Sequence, residues 1–316
     1  MKDPILRLSH VSKTFYSEKT GAIPAVRDFS LDIGKGECVG IVGESGCGKS
    51  TIARMVTRIT DITQGQILLE GEDISLIPER NLKKIYKKIQ MVFQDPYSVF
   101  SPRMQVGTFL EEGIVHYKIA SRIDAKEEAK TLLSMVDLSP ELLNRFPHQL
   151  SGGQLQRVVI ARAISIEPKL VILDEATSAL DVSVQKQVLG LLVKLQKRLG
   201  LTYLFIGHDL AVVRSVCNRV VVMYAGYVVE ELASERLEES AAHPYTRKLL
   251  DSVFSMRDKN RKKIELETLT MQDSGYEKMG CPYQKRCPFV HDKCRKETPE
   301  LKDHGNDHKV RCFYYQ

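Results

Sequence analysis

The sequence predicts an α/β fold, with a mostly parallel sheet covered by helices. Two observations carry this expectation. From Lys169 onward, short apolar runs of strand character alternate with helical patterns, which is the order that builds parallel sheets. Upstream, Gly43-Glu44-Ser45-Gly46-Cys47-Gly48-Lys49-Ser50 fits G-x-x-x-x-G-K-[ST], between an apolar run (residues 37–42) and a helical segment (residues 49–58). A phosphate loop requires that strand–loop–helix context.

Residues 5–8 and 29–33 alternate apolar and polar side chains, as half-buried strands do. Residues 37–42 (ECVGIV) are more continuously apolar and predict a buried parallel strand. The middle of the chain is helical in tone. Asp124 with Glu127 predicts a capping-box-like start, the helix running on through 125–136, and Pro140 and Pro147 punctuate the segment beyond it. Residues 170–173, 202–206 and 219–223 predict three further strands. Val184, Val188, Leu191, Leu192, Leu195 and Leu199 recur at helical spacing, and Gly200 stops that helix.

The 316 residues carry 46 Lys and Arg against 40 Asp and Glu, a net charge of +6, which demands neither nucleic acid nor an anionic membrane as partner. The opening MKDPILRLSH has no apolar signal-peptide core, and runs such as 220–225 fall far short of the ~20 residues that span a bilayer. The chain is therefore expected to work in a reducing cytosol without crossing a membrane itself. Cys38 and Cys217 are expected in the core, and Cys47 as a small filler of the phosphate loop. Cys281, Cys287, Cys294 and Cys312 crowd the tail, and in that compartment a metal or iron–sulfur site is expected before disulfides.

The chemistry of the loop is direct. Gly43, Ser45, Gly46, Cys47 and Gly48 let backbone amides converge on phosphate oxygens, at a helix N-terminus that adds positive potential. Lys49 supplies charge to the β- and γ-phosphates, the Ser50 hydroxyl ligates Mg²⁺, and Thr51 completes the set of nucleotide-binding candidates. The strand LVIL ends in Asp174 and Glu175. Asp174 is the second candidate for Mg²⁺, and Glu175 the candidate for orienting or deprotonating the attacking water. The bland alternatives are a Gly-rich turn and an exposed acidic turn, and the two motifs together argue against both.

Leu150-Ser151-Gly152-Gly153-Gln154 resembles the LSGGQ signature of ATP-binding cassette (ABC) ATPases. Other motifs of that family accompany it in the expected order. Gln94 in MVFQDP resembles the Q-loop glutamine, Ser178-Ala179-Leu180-Asp181 the D-loop, and His208 in FIGHDL the switch histidine. Phe15 in VSKTF stands where the family stacks an aromatic on adenine, with Tyr16 the runner-up. Taken singly, Gln94 is a polar loop residue, His208 a surface histidine, Phe15 a core residue and Asp209 a helix cap; order and spacing overturn these readings. The resemblance covers roughly residues 5 to 230. It implies a RecA-like core, an antiparallel β subdomain and a helical subdomain near 96–160, all within a nucleotide-binding domain spanning 1–255. It also implies that two cassettes pair head to tail around ATP and Mg²⁺. Lys49 and Ser50 of one then face Ser151, Gly152, Gly153 and Gln154 of the other, with Asp181 nearby. Glu175, His208 and Gln94 serve catalysis, Gln94 also as a Mg²⁺ ligand.

In the tail, His243-Pro244-Tyr245-Thr246 and Gly280-Cys281-Pro282-Tyr283 with Arg286-Cys287 resemble the C-terminal extension of the ATPase subunits of oligopeptide, dipeptide and nickel importers. A charged run at 257–263 reads as the linker to this extension, residues 256–316. The spacing C-x5-C-x6-C-x17-C is looser than that of structural zinc sites. The resemblance implies a [4Fe–4S] cluster on Cys281, Cys287, Cys294 and Cys312; zinc, or unliganded or disulfide-bonded cysteines, are the alternatives, and His291, a fifth candidate ligand, is expected as a solvated loop residue. The function implied is the ATPase subunit of a peptide importer, at the cytoplasmic face of the membrane. Its expected partners are a second cassette, identical or related, two membrane-embedded permease subunits docked near residues 94–103, and, indirectly, an extracytoplasmic binding protein. Nickel or a metal–chelator complex is the alternative cargo. A ribosome- or DNA-acting ABC protein and an exporter motor are the competing classes, and no nucleic acid is expected.

Overall fold

The computed structural model describes residues 3–18, 21–255 and 279–315; the charged run 257–263 lies outside them. In chain order the strands are β1 (Leu6–Ser17), β2 (Gly21–Ile33), β3 (Cys38–Val42), β4 (Gln64–Leu69), β5 (Glu72–Asp73), β6 (Ile89–Val92), β7 (Leu170–Asp174), β8 (Thr202–Gly207), β9 (Arg219–Tyr224), β10 (Tyr227–Ala233), β11 (Lys302–Asp303) and β12 (Lys309–Val310). The helices are α1 (Lys49–Val56), α2 (Leu82–Lys88), α3 (Val106–His116), α4 (Ala125–Met135), α5 (Gly152–Ile164), α6 (Val182–Leu199), α7 (Leu210–Val216), α8 (Leu237–Ser240), α9 (Pro244–Ser255) and α10 (Asp292–Lys296).

The chain forms two compact units. The first comprises Met1–Ile5, Ile33–Glu37 and Leu69–Phe205; the second comprises Leu6–Asp32, Cys38–Leu68 and Ile206–Gln316.

In the first unit the strands run β8-β7-β6, with β6 and β7 parallel and in register from Ile89↔Leu170 to Val92↔Leu173. All five residues of β7 are buried, as its unbroken apolar run predicted. Helix α6 turns Val188, Leu191, Leu192 and Leu195 inward and ends at Gly200, which takes the left-handed φ of 63°. Val182 and Leu199, at its ends, are exposed instead. Helix α4 begins where the sequence places it, but without the expected capping box. Asp124 is itself helical, and its carboxylate accepts from the Ser121 hydroxyl, while Glu127 pairs with Lys130.

In the second unit a ladder runs β11-β12-β10-β9-β3. Strand β3 is buried throughout and lies parallel to β9, Val39↔Arg219 to Val42↔Val222. A smaller sheet of the same unit places β1 between β2 and β4. Cys38 and Cys217 are buried here, their sulfurs 3.2 Å apart, and burial raises the Cys217 pKa, so the pair is apolar core. The tail belongs to this unit as well. Strand β12 pairs antiparallel with β10, Glu230↔Val310 and Glu231↔Lys309. The Glu230 carboxylate is wholly buried yet satisfied. It accepts from the amides of Ala242 (2.7 Å) and His243 (3.0 Å) and meets His308 Nε2 at 2.7 Å.

Candidate functional site

The phosphate loop leaves β3 at Val42 and enters α1 at Lys49. Gly48 takes φ 107°, and a Cβ there would lie 2.3 Å from the Ala25 carbonyl oxygen; only glycine serves at that turn. No side chain caps α1. A helix start without a side-chain cap is what an anion site needs. The Lys49 side chain is buried, and its Nζ donates to the carbonyls of Gly43 and Glu44 at 2.8 Å each. Cys47 is buried in the loop's floor. Burial pushes its thiol pKa up against the pull of Lys49, which suits the filler role. Ser45 and Gly46 are exposed, and Ser50 and Thr51 half-buried. Phe15 and Tyr16 stand near the end of β1, 43% and 79% exposed, with Lys13 Nζ 5.0 Å from the Phe15 ring centre. His208 follows β8 and is exposed. Its neighbour Asp209 caps α7, accepting from the amides of Ala211 (2.8 Å) and Val212 (3.3 Å).

The signature and the acidic pair belong to the first unit. Ser151 is the N-cap of α5, and its hydroxyl accepts from the Gln154 amide at 3.2 Å. The Gln154 side chain in return accepts from the Ser151 amide at 2.9 Å. This reciprocal box leaves Ser151 and Gly152 exposed at the positive end of the helix. Gly153 is buried against α6, where a Cβ would come within 2.3 Å of Val184 Cγ1. Asp181 caps α6, accepting from the amides of Ser183 (3.1 Å) and Val184 (3.0 Å); the Val184 amide and the Ser183 hydroxyl hold its carboxyl below the usual range. Asp174 ends β7 with only 9% exposure. Glu175 follows at φ 50°, a left-handed conformation rare for a residue with a side chain. Its carbonyl accepts from the amide (3.0 Å) and the hydroxyl (2.9 Å) of Ser178. Strain of this kind gathers at functional turns. Gln94 lies in the exposed bend after β6. The Ser50 hydroxyl and the Asp174 carboxylate are hard oxygen donors, the kind Mg²⁺ takes.

Sequence reasoning missed two residues that touch the loop. The Glu44 amide donates to the Tyr245 hydroxyl at 2.9 Å, and Arg286 Nη1 donates to both Glu44 carboxylate oxygens at 2.9 Å. Tyr245 sits in the HPYT segment and Arg286 beside Cys287, but no local pattern ties either to the loop. The only signal was their place in the tail motif.

The iron–sulfur expectation is not supported. Cys281, Cys294 and Cys312 are buried and Cys287 half-buried. They share one neighbourhood: the Cys281 amide donates to the Cys294 carbonyl at 2.7 Å, and the Cys281 thiol feels the charge of the other three. Among the described residues, however, no group of three or more His, Cys, Asp or Glu side chains is placed to hold a metal ion. Burial, with the other thiols adding to it, pushes the Cys281 thiol up to about 12 and raises Cys287 and Cys312. His291 is exposed.

A glycine-built phosphate loop, a strand-end acid pair and a capped LSGGQ helix define the class: an ABC-type ATPase. The ABC transporter family model matches residues 26–178, and the model for the oligopeptide/dipeptide transporter C-terminal region matches 229–294. The chain is 41% identical over 323 residues to the oligopeptide transport ATP-binding protein AppF of Bacillus subtilis, covering 99% of this chain and 98% of that one. It is 40% identical over 310 residues to a putative peptide import ATP-binding protein of Brucella ovis, covering 98% of each. Among solved structures, cbiO1 of Clostridium perfringens, part of the ABC transporter complex cbiONQ, matches with TM-score 0.68 and 28% identity over 82% of this chain and 97% of that one. The dimeric post-hydrolysis cassette MJ0796 bound to ADP and Pi matches with TM-score 0.65 and 30% identity over 72% and 98%. The chain belongs to the family of ABC transporter ATP-binding proteins of the oligopeptide/dipeptide type. Among the described residues no helix is long and apolar enough to cross a membrane.

Proposed function

We propose that this chain is the ATP-hydrolysing subunit of a peptide importer, working at the cytoplasmic face of the membrane. It pairs with a second cassette and drives two separate permease subunits, which an extracytoplasmic binding protein supplies. The observation that carries this reading is the signature turn. Ser151 and Gly152 are exposed at an intact helix N-terminus, and the turn's shape is held by its own Gln154. Such a terminus attracts phosphate, and its exposure suits a nucleotide carried by a partner. Relatives named for peptide import and for oligopeptide transport, 40% and 41% identical across nearly the whole chain, support peptides as cargo and do not favour nickel.

In this reading the amides of residues 43–51 and the Lys49 ammonium grip the phosphates, with Phe15 stacking on the base. Lys49 exchanges the carbonyls of Gly43 and Glu44 for phosphate oxygens. Ser50, Asp174 and Gln94 would hold Mg²⁺, which neutralises charge on the departing phosphates. Glu175 orients the attacking water and takes its proton, and His208 and Asp181 respond to the γ-phosphate. The partner's Ser151, Gly152, Gly153 and Gln154 equivalents complete each site, so ATP draws the cassettes together and hydrolysis lets them part.

The test is nucleotide-dependent association. Glu175→Gln protein with Mg²⁺ and ATP, mixed with its partner cassette, should run as a stable cassette pair on size exclusion, and adding Ser151→Arg should return it to single subunits. Association that ignores both ATP and Ser151 contradicts the reading.

A further inference from the structure

The tail reaches the phosphate loop with a charge. Arg286 Nη1 donates to both oxygens of the Glu44 carboxylate at 2.9 Å, across 242 residues of sequence. The Arg286 side chain is only 15% exposed and that of Glu44 43%. The guanidinium stands 5.8 Å from the ring centres of Tyr224 and Tyr283, which meet each other edge-on at 5.1 Å. Tyr245 joins the same cluster, 4.8 Å from Tyr224, and its hydroxyl accepts from the Glu44 amide. Burial raises the Tyr245 pKa, so the phenol stays protonated. Glu44 is thus held at backbone and carboxylate by two residues from beyond position 240, and its own carbonyl is one of the two oxygens that hold Lys49.

The family reading makes this loop a triphosphate site, and an anionic side chain inside such a loop is an electrostatic liability. We propose that Arg286 is a positioning residue of the nucleotide site: by holding and neutralising Glu44, it fixes the loop and removes a repulsion that would otherwise weaken ATP binding. The C-terminal segment is then part of the nucleotide-binding apparatus and not only an appendage of it. This rests on the assignment of residues 43–51 as the phosphate loop.

The test uses the full chain and binding of N-methylanthraniloyl-ATP followed by fluorescence. Arg286→Met keeps an apolar stem against the tyrosine rings and removes the charge; it should weaken binding roughly tenfold, a moderate loss because the pair is partly solvated. Adding Glu44→Gln should bring the affinity back to within about threefold of Glu44→Gln alone, since the unpaired carboxylate is gone. A purely structural role for Arg286 would show no such rescue. Arg286→Met binding like wild type, or a double variant as weak as the single one, overturns the proposal. Should Arg286→Met not fold by circular dichroism, Arg286→Lys carries the test. Its ammonium keeps the charge, so binding within about threefold of wild type is expected, and a tenfold loss unrelieved by Glu44→Gln overturns the proposal. A wild-type chain that bound no nucleotide would sink the loop assignment itself, whereas a wild-type chain and variants that all bind equally would sink only this inference.

Discussion

The two helix N-termini to which the proposed function assigns phosphate are built in opposite ways. Helix α1 starts without a side-chain cap, behind a glycine at φ 107° whose Cα lies against the Ala25 carbonyl. Its loop is shaped from outside, by Tyr245 and Arg286 on Glu44. Helix α5 is shaped from within, by the reciprocal bonds of Ser151 and Gln154, and its first residues face solvent. The first arrangement suits a site that must bind ATP within one chain. The second suits a surface that must keep its form until a partner's nucleotide arrives. The contrast teaches that a phosphate site can draw its rigidity from distant parts of the fold or from a local cap, and that the two fail under different perturbations.

The largest expected effect falls on the chemistry. Glu175→Gln should keep ATP binding but lose about 10²–10⁴-fold in turnover, measured by phosphate release from the assembled transporter; near-normal release would remove Glu175 from the base role. Acid should next act on the supports of α1 while sparing α5. His243 is buried before α9, its Nδ1 accepting from the Tyr245 amide at 3.1 Å, and burial, only partly offset by Glu230, lowers its pKa to about 4. The unfolded chain therefore binds more protons between the ordinary value near 6.5 and 4. Stability present at neutral pH is lost as pH falls through that window, by up to about 3 kcal/mol. Denaturant melts at pH 7 and 4.5 should show this loss, and His243→Asn, which keeps a capping acceptor without titrating, should flatten it. An unchanged pH slope in that variant would dismiss His243 as the cause.

Smaller effects sharpen the α5 side. Gly153→Ala should cost about 1–3 kcal/mol by overpacking against Val184, and Val184→Ala in the same chain should recover much of it. Additive losses would show that the two side chains do not meet. Gln154→Ala removes half of the box and should cost roughly 1 kcal/mol, read as a lower urea midpoint with an unchanged m value. A change in nucleotide binding by the isolated chain would contradict the division drawn between the two helices.

What the sequence revealed divides along the same line. Strands β3, β7, β8 and β9 were legible because burial on both faces leaves nearly unbroken apolar runs. The Ser151–Gln154 box is local, yet it was not drawn from the sequence, where the signature carried only the family resemblance. Strands β1 and β2 were legible only in part. They extend over Leu6–Ser17 and Gly21–Ile33 with interior exposed positions such as His10 and Asp28, where the alternation breaks. Strands β10 and β12 were missed, as their pairing fastens the tail to the second unit through residues about 80 positions apart. Nothing near Glu44 announces Tyr245 or Arg286, 201 and 242 residues away. Such contacts depend on the packing of β9, α9 and the tail together. The spacing of the tail cysteines gives ligand order alone, and the described residues show no group of three or more placed to hold a metal ion.

The central claim is that the loop before α1 binds ATP within the chain, while the α5 terminus acts only on a nucleotide held by a partner. Equilibrium binding of N-methylanthraniloyl-ATP to isolated full chains carrying Lys49→Ala or Ser151→Arg tests it most directly, with turnover of the assembled transporter measured beside it. Lys49→Ala should weaken binding by about 100-fold or more. Ser151→Arg should bind within about twofold of the parent and yet abolish turnover. A Ser151→Arg chain that loses nucleotide as fully as Lys49→Ala, or that turns over normally in the complex, would contradict the account.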